Sequence, residues 1–74
     1  MSQKIEQVSL LQPLHIPGSG TTERVLNTKA TALNGAYELE AGTYEGTPGY
    51  FVGWRGRSFF VPSTFVSHVL FAKS

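Results

Sequence analysis

One stretch decides the fold class that we predict for this chain: Gly56-Arg57-Ser58-Phe59-Phe60-Val61-Pro62-Ser63-Thr64-Phe65-Val66. A glycine turn is followed by a short apolar strand, then by a Pro-Ser break and an aromatic-Val pair. Proline ends the strand because it cannot donate to the ladder, and residues 63–65 have the composition of a single 3₁₀ turn. This order predicts the closing half of a small β-barrel.

The segment before this stretch also has the pattern of short strands joined by tight turns. Asn34-Gly35 is the strongest turn signal, because both residues accept the positive φ that a type I′ hairpin requires. Residues 37–41 then alternate apolar and acidic side chains, so Glu38 and Glu40 are expected to face water. Residues 50–54 read as a buried strand. Short strands at this spacing predict an all-β meander or barrel of about five strands.

The two ends of the chain are harder to assign. Residues 1–22 contain two prolines and a Gly-Ser-Gly loop, and we read them as an N-terminal arm and linker that can add one strand. Residues 23–74 form the predicted barrel domain, with its core in the second half, because all nine aromatic residues follow residue 36. Residues 66–71 are predicted as the last strand. A helix over 64–71 is the alternative, since its apolar residues also fit helical spacing.

Composition excludes several classes of protein. Six Lys/Arg against five Asp/Glu give a net charge of +1, too small for electrostatic capture of nucleic acid to be the default interpretation. There are no cysteines, which removes disulfides and thiolate metal sites. No apolar run suggests a signal peptide or a membrane span. The expectation is a soluble cytoplasmic protein without a cofactor and without a membrane partner.

Two elements of the chain resemble the Src-homology-3 family. Residues 50–53, Tyr-Phe-Val-Gly, are similar to its paired-aromatic-x-Gly strand, and residues 56–66 are similar to its closing Gly-x-x-Gly-φ-φ-Pro-Ser-Asn-Tyr-Val segment. The resemblance implies an SH3-like five-stranded barrel and places Tyr50, Pro62 and Phe65 at positions of the peptide groove. Because Phe65 lacks the hydroxyl that the family uses to bind peptide carbonyls, the resemblance extends to the barrel shape rather than to proline-rich ligands.

Catalysis and metal binding find little support. His15 and His68 are the only histidines, and no further ligand is spaced to join them. Ser63, Ser67 and His68 offer a nucleophile and a base, but the chain has no aspartate to orient the imidazole. We therefore predict that the protein is not an enzyme and holds no metal.

Charged residues suggest two weaker possibilities. Arg55 and Arg57 flank a glycine at a predicted hairpin tip beside Trp54, an arrangement that suits exposed charges, single-stranded nucleic acid or an anionic small ligand. Glu38 and Glu40 share one face of a strand and are expected to be solvated. They are the predicted contacts if a partner is basic.

The strongest functional signal is a surplus of aromatic rings. In residues 50–54, Phe51 points away from Tyr50 and Trp54, and in residues 58–61 Phe60 points away from Phe59. Some rings must therefore lie on the outer surface or beneath another element, for which the N-terminal arm is the alternative cover. Soluble monomers seldom expose wide apolar patches without a partner.

The function that we predict is a non-enzymatic protein-interaction module that binds another protein, or a second copy, through an exposed aromatic patch. Tyr50, Trp54, Pro62 and Phe65 are the predicted patch, with Arg55 and Arg57 beside it. Small modules of this type are often encoded by phages and mobile elements to inhibit a host protein, and a phage-encoded inhibitor would act in the host cytoplasm. The alternatives are a homo-oligomer that binds a small ligand and a small barrel that binds single-stranded nucleic acid.

Overall fold

A computed structural model describes residues 4–29 and 35–72 of the protein, and this part is all-β. It contains six strands and one 3₁₀ helix, where about five strands were expected. In chain order the elements are β1 (Ile5–His15), β2 (Thr22–Asn27), β3 (Glu38–Tyr44), β4 (Thr47–Trp54), β5 (Arg57–Pro62), the 3₁₀ helix (Ser63–Phe65) and β6 (Val66–Phe71).

The strands form two three-stranded antiparallel sheets. The first sheet has the order β2-β1-β6 and the second has the order β3-β4-β5. The second sheet is a meander whose two turns each consist of two residues with positive φ, Glu45-Gly46 and Arg55-Gly56. Such turns match the right-handed twist of the flanking strands. The register of β3, β4 and β5 is therefore continuous, and alternate residues point to opposite faces.

The N-terminal segment read as an arm and linker includes β1, the central strand of the first sheet. The strand pairs with both β2 and β6, and its pairing with β2 is interrupted by a bulge between Ser9 and Leu14. Pro13 lies within this bulge, where its missing N–H costs no ladder hydrogen bond. Residues 5–15 are thus an integral part of the fold.

The hydrophobic core lies between the two sheets. The sequence predicted a core confined to the aromatic second half of the chain. That prediction is wrong, because five of the nine buried hydrophobic residues precede residue 30. Aliphatic side chains of the first sheet fill the space that the aromatic strands leave. The buried hydrophobic residues are Ile5, Val8, Leu10, Ile16, Leu26, Tyr37, Val52, Trp54 and Val61.

The predictions for the end of the chain are confirmed. Ser63–Phe65 is a 3₁₀ helix and Val66–Phe71 is a strand, so the helical alternative for residues 64–71 is wrong. Gly35 has the positive φ expected of it, +82°, whereas Asn34 lies outside the described residues. The hairpin predicted at Asn34-Gly35 is wrong in its pairing, because β2 and β3, the strands on either side, belong to different sheets. Within residues 4–29 and 35–72, no helix has the length and apolarity needed to cross a membrane.

Candidate functional site

The structure divides the six predicted binding residues between the two ends of the second sheet. Pro62 lies opposite Gly49, and the 3₁₀ helix that carries Phe65 contacts β4, so Tyr50, Pro62 and Phe65 share one end. Tyr50 and Phe65 are half-buried and pack against the core, while Pro62 is exposed. Trp54 is four residues further along β4, about 13 Å away for an extended strand. The six residues therefore do not form one patch.

Trp54 is buried, which corrects its assignment to an exposed patch. Only 6% of its surface is accessible. Its ring stacks on Tyr37 with the centroids 6.3 Å apart, and the Tyr37 hydroxyl donates a 2.7 Å hydrogen bond to Glu23 Oε2. The Arg55 guanidinium carbon lies 4.9 Å from the Trp54 ring centroid. Trp54 thus contacts both an aromatic ring and a cation, and it belongs to the hydrophobic core.

Both arginines of the hairpin tip lie against the protein itself. Arg55 covers Trp54, and Arg57 lies against Gly18 in the loop between β1 and β2, where an added Cβ would approach Arg57 Nε to 2.8 Å. Their head groups remain exposed to solvent. Contacts with the protein's own rings and backbone account for the position of both side chains.

A different aromatic surface lies on the outer face of the second sheet. Phe51 and Phe60 are directly opposite each other on β4 and β5, with their ring centroids 5.1 Å apart and the planes inclined by 59°. Tyr44, at the end of β3, contacts Phe60 at 5.6 Å between centroids. These distances are in the range of favourable tilted ring pairs. We call Tyr44, Phe51 and Phe60 the aromatic face.

Glycines determine how the rings of the aromatic face lie. A Cβ at Gly42 would approach the Phe51 ring to 2.8 Å, and a Cβ at Gly49 would approach the Phe60 ring to 2.6 Å. Each ring therefore lies over the bare backbone of a neighbouring strand. The opposite side of the rings faces outward: Phe51 and Phe60 are half-buried, and 55% of the Tyr44 surface is accessible. A shallow concavity of about 300 Å³ is lined by Tyr44, Phe51, Ser58, Phe59 and Phe60.

Carboxylates border the aromatic face on one side. Glu40 lies directly opposite Phe51, and Glu38 lies opposite Gly53 in the next outward row. A Cβ at Gly53 would come within 3.1 Å of Glu38 Oε1, so this carboxylate extends over the middle strand. Both glutamates are exposed, as predicted. They line a second concavity of about 310 Å³ together with Phe51, Gly53 and Ser58.

The outer face of the first sheet has a different character. Asn27 Nδ2 donates a 2.8 Å hydrogen bond to Gln7 Oε1, and Gln7 Nε2 donates one of 3.2 Å to Ser9 Oγ. These three residues lie in the middle of the face, with Val25 and Leu70 on the flanking strands. Ser9 is only 8% exposed and Gln7 and Asn27 are half-buried, whereas Val25 and Leu70 are exposed beside them, so this face is mixed rather than uniformly polar. Among the described residues, the ring pairs on an outer face are Phe51–Phe60 and Tyr44–Phe60, both on the second sheet.

Sequence reasoning located part of this surface. Within residues 50–54 it placed Phe51 opposite Tyr50 and Trp54, and within residues 58–61 it placed Phe60 opposite Phe59. The structure confirms both alternations, and the register of β4 with β5 puts Phe51 and Phe60 on the same face. It missed Tyr44. The alternation of Glu38 and Glu40 along β3, continued for four more residues, is the signal that could have placed Tyr44 on the same face.

The groups considered for chemistry are dispersed. Ser67 Oγ lies 3.4 Å from His68 Nδ1 on an exposed stretch of β6, and His15 is exposed at the end of β1. In the part of the chain that the structure describes, no three His, Asp or Glu side chains converge as a metal site requires.

A cleft of about 500 Å³ lies where the edges of the two sheets meet. Ile5 and Phe71 of the first sheet line one side, and Leu39, Glu40 and Ala41 of β3 line the other. The cleft shares Glu40 with the acidic border described above.

Comparisons with models of known protein families, with curated protein sequences and with solved structures find no match to this chain.

Proposed function

We propose that this protein is a non-enzymatic interaction module that binds another protein through the aromatic face. The observation that carries the proposal is the cluster of Tyr44, Phe51 and Phe60 on the outer face of the second sheet. The outer face of the first sheet instead has a hydrogen-bonded network of Gln7, Ser9 and Asn27, with the aliphatic residues Val25 and Leu70 exposed beside it. Aromatic rings supply large contact area with few rotatable bonds, and they are enriched in the residues that dominate binding energy at interfaces.

The proposal includes an SH3-like barrel as the scaffold. It is supported by the strand orders β2-β1-β6 and β3-β4-β5, and by the short 3₁₀ helix that follows Pro62 and leads into the last strand. In this arrangement β3, β4 and β5 form one rigid, tightly turned meander. A surface built on such strands keeps its shape before binding, which lowers the entropic cost of association.

The aromatic face differs from the peptide groove that the family resemblance suggests. Of the three groove residues, Tyr50 and Phe65 pack against the core, which leaves Pro62 as the exposed member. On the aromatic face, by contrast, the rings contact one another and remain partly accessible. Binding of a partner there would cover apolar surface that is now in contact with water.

The proposal predicts that Tyr44→Ser, alone or with Phe60→Thr, abolishes capture of the partner while the protein stays folded. Loss of a central interface anchor reduces affinity by about 2 kcal/mol or more, roughly thirtyfold. The measurement is quantitative capture of the bound protein from a lysate of the source cells, identified by mass spectrometry. Circular dichroism of each variant verifies the fold.

Leu70→Ser is the matched control, because Leu70 is 46% exposed on the outer face of the other sheet. Capture by this variant should equal that of the wild type. Equal capture by Tyr44→Ser and the wild type would refute the proposal.

Light scattering at two concentrations tests whether the partner is a second copy of this chain. If the aromatic face joins two copies, the molecular mass in solution falls in Tyr44→Ser and not in Leu70→Ser.

A further inference from the structure

We propose that the aromatic face and its acidic border bind an arginine side chain presented by the partner protein. This inference rests on the proposed function and adds the chemistry of the partner. It is carried by the charge of the surface and by the placement of two carboxylates beside the tilted ring pair of Phe51 and Phe60.

The charge of this surface is opposite to that of the whole chain. The net charge of the protein is +1, yet the outward positions of β3, β4 and β5 hold Glu38 and Glu40 and no basic residue. Arg57 is the one basic residue within these strands. It is paired with Trp54, so it lies on the inner face of the sheet, and its side chain lies against Gly18. A further acid, Glu45, is exposed in the turn that follows Tyr44. The aromatic face is therefore bordered by acids at both ends. Two bases lie just outside these strands: Arg55, in the turn after β4, rests on Trp54, and Lys4 lines the same cleft as Glu40.

The geometry suits a planar cation. The row formed by Glu38 and Gly53 is adjacent to the row formed by Glu40, Phe51 and Phe60, and diagonal neighbours on a sheet are about 7 Å apart. A guanidinium resting on the Phe51 ring would have the carboxylate of Glu40, the residue directly opposite Phe51, within reach at its edge. Arginine combines stacking on an aromatic ring with paired hydrogen bonds to a carboxylate, whereas the compact lysine ammonium cannot do both.

The same charges argue against a second copy as the occupant. A symmetric dimer through this face would bring the surface of one protomer onto the identical surface of the other. The acidic borders of both copies would then approach each other, and like charges across an interface are unfavourable. A basic partner turns the same carboxylates into favourable contacts.

The test uses two small probes on the full-length ¹⁵N-labelled protein. N-acetyl-arginine methylamide carries the guanidinium, and N-acetyl-citrulline methylamide has nearly the same shape without the charge. We expect the arginine probe to shift the backbone amide resonances of Tyr44, Phe51 and Phe60, and to bind at least about fivefold more tightly than the citrulline probe. Glu40→Gln should remove most of this preference.

Glu6→Gln is the control, because it makes the same change in charge at an acid of β1, in the other sheet. It should leave the preference for arginine unchanged. The inference would be overturned by equal binding of the two probes, by an effect of Glu6→Gln as large as that of Glu40→Gln, or by shifts confined to other strands.

The two proposals can fail separately. If arginine is not preferred while Tyr44→Ser still loses the partner, only this inference fails. If Tyr44→Ser retains the partner, the proposed function fails.

Discussion

Gly49→Ala is expected to destabilise the protein by about 3 kcal/mol or more, the upper range for overpacking. An added Cβ at Gly49 would collide with the backbone carbonyl oxygen of Val61 and lie 2.6 Å from the Phe60 ring. The carbonyl cannot move away without disrupting the pairing of β4 with β5. For a domain of this size the midpoint of thermal unfolding should fall by at least about 12 °C, measured by circular dichroism.

Gly53→Ala on the same strand is the matched control. There the added Cβ would meet Glu38 Oε1 at 3.1 Å, and an exposed glutamate side chain can rotate away. We expect a much smaller change in the midpoint, together with displacement of the Glu38 carboxylate. Equal midpoints for Gly49→Ala and Gly53→Ala would contradict the described packing of Phe60 over β4.

Trp54→Ala is expected to cost about 3–5 kcal/mol, the usual range for truncating a buried tryptophan. The substitution leaves a cavity beside Tyr37 and removes the surface on which Arg55 rests. Stabilities of small domains are only about 5–15 kcal/mol, so a large part of the total would be lost. Urea unfolding followed by circular dichroism measures the loss.

Arg55→Ala separates the two contributions to this site. It removes the cation and keeps the ring, and we expect a cost of about 0.5–1 kcal/mol. If Trp54→Ala were as stable as the wild type but unable to bind a partner, Trp54 would be a surface contact after all, and the described core would be wrong.

Much of the fold follows from local sequence patterns. Proline at position 62 and the polar residues after it mark the change from strand to 3₁₀ helix, and the apolar run to Phe71 marks the last strand. Glu38 and Glu40 reveal which face of β3 meets water. These signals are local because turn residues and strand alternation act over a few neighbouring positions.

The position of β1 could not be predicted in the same way. Pro13 in the strand and the Pro17 and glycine loop after it suggested an arm, but the pairing with β6 joins residues about sixty positions apart. Local patterns do not encode which strands become neighbours. The bulge between Ser9 and Leu14 also hides the alternation that would have identified one long strand.

The choice of the binding face was limited by a related problem. Alternation placed Trp54 with Val52 and turned Phe51 to the other side, yet it could not say which side is buried, because both sides carry aromatic rings. The aliphatic residues of the first sheet, among them Val8 and Leu26, cover the Trp54 side. That information lies in the tertiary packing.

Site-specific photocrosslinking tests the aromatic face as the contact surface most directly. Benzoylphenylalanine is introduced at Tyr44 in one variant and at Leu70 in another, two positions of similar exposure on the outer faces of different sheets. After irradiation in a lysate of the source cells, the Tyr44 variant should form a covalent adduct with one protein, and the Leu70 variant should form none. An adduct from Leu70 alone, or from neither position, would contradict the account.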